Sequence, residues 1–434
     1  MLIVKTRDTK EIYILKRIHF FLGIEFLDNV ELSINFSGSR ESEYPLIVIS
    51  KKVSNKQTKK NHSTLFLESN LADLIFSNLS MSSEMGLKED KFGRKISTTK
   101  RVNSMKEPLI DKELKKVKNK VLIFLKKNNL TYKERIPLKH PIVCLTHDVD
   151  SIKSNSFIRK LFWIFKDLLR LSFTGVFLNL KKLFIFEQNT HGDFRKFVEI
   201  EKNFSFKSTY FFLSLPFFIS WEGRRYSLKT RWIQESINFL IRENFEVGLH
   251  LSRRGYKKSS KAEIEKIRLE NTIKDHTKIS GVRNHYLAGS FPAIWKLHEK
   301  NYDYDSSLGW SSYLGYRAAT SRPFRPFDNT TGKELEIYEL PLIVMDGAIK
   351  KSNAEEIFNE IKPYIDHAYE DNGVITILWH TDRILPGEFT EYSKAYEHLL
   401  SYLKKLEFLS LTAKEVVNHF KEYEKDLGEN FQVL

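Results

Sequence analysis

From residue 142 onward the chain repeats one pattern. A short apolar run ends on a polar residue capable of chemistry, and a stretch with apolar residues at three- and four-residue steps follows. The apolar runs fall at 142–145, 207–215, 245–251, 279–287, 336–345 and 374–380, and the helical stretches at 231–242, 259–277, from about 292, at 354–369 and at 391–406. Runs without polar alternation read as strands covered on both faces, which calls for helices on either side and parallel pairing. The pattern predicts a parallel α/β sheet or barrel. In such folds the sites lie at the C-terminal ends of the strands, so the polar residues that close each run are the ones to read for function.

The first of these ends is residues 141–150, PIVCLTHDVD. If the backbone stays extended, the two-residue side-chain period sends Asp148 and Asp150 to one side and His147 to the other. Two adjacent carboxylates repel unless a cation or a proton neutralises one of them. The pair reads either as a metal ligand beside a general base or as two turn-capping Asp residues. Further along, the run ends supply His250 with Ser252 in EVGLHLS, Arg283 and His285 in GVRNHYL, and His380 in ITILWHTD. Each His alone is more often structural than catalytic. Together, one carboxylate and one or two imidazoles make an N/O donor set suited to Zn²⁺ or another first-row divalent ion, with positions left for water and substrate.

The remaining sequence bounds the setting. With 434 residues, 41% of them hydrophobic and 33 Phe, the chain has material for a folded protein of two domains. Residues 1–135 read as a smaller N-terminal α+β domain: a helix over 12–27, short strands at 30–36 and 44–50, and a polar, basic stretch at 80–107 whose only aromatic is Phe92. That stretch reads as an exposed loop or linker, followed by a helix carrying Leu114, Val117, Val121, Leu122 and Leu125 into a second domain, 136–434. At about 155–188 a basic amphipathic insertion is expected either to pack on its own domain or to lie on an anionic membrane surface. The single cysteine, Cys144, lies in an apolar run and can form no intramolecular disulfide. With a charged N-terminal stretch that lacks a signal-peptide core, this leads us to expect a cytoplasmic protein, at most peripheral to the inner face of the membrane. A net charge of +15 suits nucleic acid, anionic lipid or an acidic glycan. No zinc-finger, RNA-recognition or helix-turn-helix pattern accompanies it, and no nucleic-acid partner is expected.

Taken in order, the run ends resemble the motifs of the polysaccharide deacetylase family, the carbohydrate esterases that share the chitooligosaccharide deacetylase homology domain. Thr146-His147-Asp148-Val149-Asp150 is similar to the family's acidic first motif, with the second carboxylate moved along by one. Residues 207–213, KSTYFFL, resemble its second-strand pattern. His250 matches half of the second motif, but Arg254 stands where the second histidine ligand would be. Arg283-Asn284-His285-Tyr286 matches the third motif with His285 in place of proline, Asp305 corresponds to the fourth, and Leu378-Trp379-His380 to the fifth. The resemblance covers about residues 139–411 and is to a divergent bacterial branch with an extra N-terminal domain, often associated with surface-polysaccharide biosynthesis.

The resemblance implies a distorted (β/α) barrel and a metal-dependent hydrolase that removes an N-acetyl or O-acetyl group from a sugar or surface-polysaccharide precursor. A divalent metal, zinc by expectation, would be held by Asp150, His250 and His285, the last restoring the missing nitrogen. Asp148 would be the general base, Arg283 its partner, His380 the general acid, the Tyr286 backbone N–H an oxyanion donor, and Asp305 a supporting residue at the substrate. The competing reading is a non-catalytic carbohydrate-binding or scaffold protein on a degenerate deacetylase fold. Trp310, Tyr313 and Tyr316 either stack on sugar rings or pack in the core, and the basic run 317–325, RAATSRPFR, either binds an anionic ligand or is solvated.

Overall fold

A computed structural model of the chain describes residues 1–34, 45–50, 64–135, 138–150, 164, 168, 194–215, 226–383 and 390–434. Its larger sheet contains, in chain order, β1 (Ile142–Val149), β2 (Ser208–Leu213), β3 (Glu246–Leu251), β4 (Gly281–Asn284), β5 (Tyr304–Asp305), β6 (Tyr338–Glu339), β7 (Val344–Met345), β8 (Val374–Leu378) and β9 (Leu409–Ser410). The strands are ordered β6-β5-β4-β3-β2-β1-β8-β7, with β9 also pairing with β1, and each pairing is parallel. Every residue of β1, β2 and β8 is buried, as strands covered on both faces must be.

The two edge strands, β6 and β7, are consecutive in the chain. Residues 340–343 carry the backbone from one edge to the other, with Leu340 N–H donating to the Asp305 carbonyl and Ile343 N–H to that of Thr376. The sheet is thus curled into a barrel whose remaining gap is spanned by this crossing. The apolar run 336–345, read from the sequence as one strand, is two short strands separated by the crossing. Inside the curl the side chains are large, and neighbouring strands make room for them: a Cβ on Gly281 would fall 1.9 Å from the Tyr304 ring.

Helices complete the outer layer. Ala354–Glu370 starts at Asn353, whose side chain accepts from Glu356 N–H, and buries Ile357, Ile361, Ile365 and Ala368 along one stripe. Ala413–Gly428 opens with a capping box formed by Thr412 and Glu415 and buries Val416, Val417 and Phe420. The helix expected at 259–277 ends earlier, at Ser259–Glu270, and the strand expected at 279–287 gives way after Asn284 to a tight turn. The insertion at about 155–188 lies outside the described residues apart from Ile164 and Leu168. Among the described residues no helix is long and apolar enough to cross a membrane.

The described residues before 136 contain an antiparallel pair, Ile24–Phe26 with Tyr132–Glu134, and contribute with helices to a parallel sheet ordered Phe431–Val433, Leu2–Val4, Val30–Ile34, Leu46–Ser50, Thr64–Glu68. Its outermost strand comes from the far end of the sequence, so the chain returns to its beginning after building the barrel. Helix Thr9–Leu22 is capped by the Asp8 side chain and ends on Gly23 at φ 62, where a Cβ would meet the Arg135 carbonyl oxygen at 2.3 Å. Arg17 on this helix is fully buried, paired with Glu424 at 2.7 Å and Glu334 at 2.8 Å.

The stretch 80–107 is largely exposed, as its composition suggests, but it is also docked by a few fixed contacts. It packs along the barrel: Tyr316 N–H donates to the Met105 carbonyl, Trp310 Nε1–H to Ser97 Oγ, and Glu84 takes the Arg317 guanidinium in a bidentate pair at 3.0 and 2.7 Å. Both partners of that pair are at most 2% exposed. Removing one would leave a buried, uncompensated charge. Glu84→Ala is therefore expected to destabilise the protein by about 3–5 kcal/mol in urea unfolding, whereas a loss under about 1 kcal/mol would show that the pair does not hold the stretch down.

Candidate metal centre and active site

The strand ends bring the expected groups together. On β1 the alternation runs as the two-residue period requires. Asp148 and Asp150 both face the His250 imidazole, with His250 Nε2 at 3.6 Å from Asp148 Oδ2 and 3.1 Å from Asp150 Oδ1. His147 points to the opposite face, buried against Phe197, Tyr210 and Tyr396, with Nε2 2.8 Å from Glu201 Oε1. His250 lies on β3 beside Arg283 of β4, and its Nδ1 is 2.9 Å from the Arg283 carbonyl oxygen. A carbonyl can only accept, so Nδ1 carries a hydrogen, and Nε2 is the nitrogen turned to the carboxylates, able to donate to them when protonated and to ligate a cation when it is not.

His285, in the turn that follows β4, completes the cluster. Its Nε2 is 3.3 Å from Asp150 Oδ1, and ligand atoms of Asp150, His250 and His285 all lie within 4.8 Å of one another. One hard oxygen and two imidazole nitrogens, gathered at strand ends and mostly buried, fit a divalent first-row cation. Burial works against the charge on Asp150, but the hydrogen bonds and charges of His250 and His285 outweigh it and hold the carboxyl well below the usual carboxylate range. Burial likewise favours neutral His250, yet the Asp148 and Asp150 carboxylates raise its basicity above that of an ordinary imidazole. Arg254 is exposed on the turn beyond β3, and no ligand atom in the cluster belongs to it.

Asp148 is fixed from the other side. Arg283, with none of its surface exposed, places Nη1 3.0 Å from Asp148 Oδ1 and 2.8 Å from Thr146 Oγ1, Nε 2.8 Å from the Ser306 carbonyl, and Nη2 2.9 Å from Ser306 Oγ. The Phe211 ring covers the guanidinium at 4.4 Å. The cation is therefore held by β1, β2, β4 and the residue after β5 at once, and can compensate only one of the two β1 carboxylates, Asp148.

His380 follows β8, partly exposed at 21%. Its Nδ1 lies 2.6 Å from Oδ1 of Asp346, a fully buried carboxylate just after β7 that also accepts from the His380 backbone N–H. Burial pushes the imidazole down, but Asp346 outweighs it and His380 is pushed up to about 10. With Nδ1 bound to Asp346, Nε2 is the nitrogen left to exchange a proton. Asp346 was not singled out in the sequence. The available signal was its position immediately after an apolar run, in VMDGA.

Several expected site groups are placed elsewhere. Asp305 is fully buried, but its carboxylate accepts from Ser307 N–H and pairs with His298, on the face turned away from Arg283, while it is Ser306 that reaches the guanidinium. Alternation along β5 explains this, because neighbouring residues must point oppositely. Trp310 and Tyr316 are buried at 6% and 1%, so they pack in the core rather than stack on a ligand, and Tyr313 alone of the three is exposed. The basic run 317–325 is consumed internally: Arg317 pairs with Glu84, Arg322 with Asp111 and Arg325 with Glu336. Tyr286 stacks on the His285 ring with centroids 3.8 Å apart.

No family model and no curated protein matches the chain. Structures of the polysaccharide deacetylase type, the family that the motifs resemble, are among the solved structures that do. A putative polysaccharide deacetylase from Mycobacterium smegmatis is 11% identical with a TM-score of 0.43, covering 65% of this chain and 90% of its own. A CE4 family pseudoenzyme from Bacillus anthracis is 10% identical with a TM-score of 0.35, covering 65% of this chain and 66% of its own. A putative polysaccharide deacetylase involved in O-antigen biosynthesis, from Bordetella bronchiseptica, is 14% identical with a TM-score of 0.28, covering 67% of this chain and 91% of its own. These likenesses are distant, and the chemistry of the site stands on its own geometry.

Two pH dependences follow from that geometry. A cation must displace the proton that the carboxylates favour on His250, so affinity for Zn²⁺ or Co²⁺ is expected to fall as pH drops through the raised His250 value, beginning above the ordinary imidazole value of about 6.5. Calorimetric titration between about pH 6 and pH 8 checks this, and an affinity flat across the interval contradicts it. For the Asp346–His380 pair, the folded imidazole keeps its proton to about 10 while the unfolded one releases it near about 6.5. The resulting stability is complete below the unfolded value and fades as pH rises towards 10. Asp346→Asn is thus expected to cost most near pH 6 and progressively less towards pH 10 in urea unfolding; a cost independent of pH would rule out the charged pair.

Proposed function

We propose that the protein is a divalent-metal-dependent hydrolase that removes an acetyl group, from nitrogen or oxygen, on a sugar unit of a glycan precursor. The observation that carries this reading is the division of labour between the β1 carboxylates: Asp148 is neutralised by Arg283, while Asp150 sits with two imidazoles. Asp150, His250 and His285 are the residues that would hold the cation, zinc by the donor set, and when bound it would polarise the acyl carbonyl and acidify a water.

The chain's own residues perform the rest. Asp148 Oδ2, the oxygen turned towards His250, accepts the proton of the attacking water, while Oδ1 stays bound to Arg283, which keeps the carboxylate oriented. The Tyr286 backbone N–H, on the turn beside His285, is assigned as donor to the oxyanion. His380, protonated well above neutrality through Asp346, delivers a proton from Nε2 to the departing amine or alcohol. Asp346 keeps that imidazole in one orientation and in its acid form. Asp305, bound to His298, takes no part.

Acetate release from a panel of N- and O-acetylated sugars by zinc-loaded protein tests the reading. Asp148→Asn and His380→Gln are each expected to lower the rate about 10²–10⁴-fold, and chelation to abolish it. Loaded protein that binds acetylated sugars but releases no acetate across the panel would replace the hydrolase with the carbohydrate-binding alternative.

A further inference from the structure

The turn that carries His285 into the ligand set contains two consecutive non-glycine residues in the left-handed conformation, Tyr286 at φ 62 and Leu287 at φ 50. L side chains adopt that conformation only where their surroundings impose it. Here the surroundings come from the N-terminal unit. Arg94 Nη1 donates to the Tyr286 carbonyl oxygen at 3.0 Å, and Gly289 N–H donates to the Phe92 carbonyl oxygen at 3.0 Å, so one side-chain and one backbone hydrogen bond hold the two sides of the turn. The Phe92 ring lies 4.8 Å from that of Tyr286, which in turn stacks on His285.

The loop that supplies these groups is itself rigid. Asp90 takes Arg94 through Nε at 2.8 Å and Nη2 at 2.6 Å, and its Oδ1 also accepts from the backbone N–H groups of Phe92 and Arg94. The turn beyond His250 is tied to the same loop: Arg253 Nη2 donates to the Lys91 carbonyl at 2.6 Å, and its guanidinium covers Phe92 at 5.4 Å. The turn that carries His285 and the turn that follows the strand of His250 are therefore both fastened to residues 90–94.

We infer that residues 90–94 set the cation affinity of the site, with Arg94 and Phe92 acting as positioning residues that hold His285 in place. The inference rests on the reading of Asp150, His250 and His285 as cation ligands. In the full-length, metal-depleted protein titrated with Zn²⁺, Arg94→Ala and Phe92→Ala are expected to weaken affinity about 10–100-fold, the range for groups that orient a metal-bound imidazole. Phe92→Tyr, which keeps the ring, and Lys88→Ala, on the same loop but away from the turn, are expected to bind like the parent. The visible spectrum of the Co²⁺ form, which reports ligand type and geometry, should change in Arg94→Ala and not in Lys88→Ala. Should Arg94→Ala fail to fold, Phe92→Leu keeps the apolar bulk, removes the ring stack and is read the same way. Parent protein that binds no stoichiometric Zn²⁺ would overturn the metal site itself. Parent protein that binds Zn²⁺, with folded Arg94 and Phe92 variants of equal affinity and unchanged Co²⁺ spectra, would overturn the positioning role alone.

Discussion

Two carboxylates two residues apart at the end of one strand face the same imidazole, and the chain must neutralise both where water has little access. That constraint explains the arrangement around the top of the barrel. A single guanidinium, Arg283, reaches Asp148 and is bonded on its other edges to Thr146 and Ser306, so it cannot swing across to Asp150. Asp150 is left to two imidazoles, one of which is fixed in its tautomer by a backbone carbonyl. The same carboxylates make His250 more basic than an ordinary imidazole. On the proposed reading, a divalent ion held by Asp150, His250 and His285 would balance the same charges.

A second pair lies beside the first, on the next strands of the sheet. Asp346 and His380 sit at the ends of neighbouring parallel strands, and burial of the carboxylate makes its hold on the imidazole strong enough to keep a proton there well above neutrality. On the proposed reading Asp148 is the group that would take a proton and His380 the group that would give one, the separation of roles that acyl hydrolysis requires.

The positions of the strand ends were legible because continuous apolar runs interrupted by single polar residues are a strong signal, and the two-residue period then assigned Asp148, Asp150 and His147 to their faces. What escaped the sequence shares a physical character. Asp346 was hidden because residues 338–345 form two strands on opposite edges of the sheet, yet the crossing Leu340-Pro341-Leu342-Ile343 is apolar throughout and marks no break. Asp305 was placed by motif position, although alternation gives its neighbour Ser306 to the site. The fate of the 317–325 run depended on partners such as Glu84, 233 residues away from Arg317, which no local pattern reveals. The docking of the stretch 80–107 was illegible because ion pairs, ring stacking and backbone hydrogen bonds leave no hydropathy period behind them.

The returning strand Phe431–Val433 and the buried Arg17–Glu424 pair bind the N-terminal unit to the barrel, and the loop at residues 90–94 brings that unit to the ligand cluster. A crystal of the protein soaked in Zn²⁺ and measured at the zinc absorption edge tests the central claim most directly. The account predicts one anomalous peak within bonding distance of Asp150, His250 and His285, about 2.0–2.2 Å, with Asp148 still on Arg283. A peak ligated by Asp148 in place of His285, or none at this position, would contradict it.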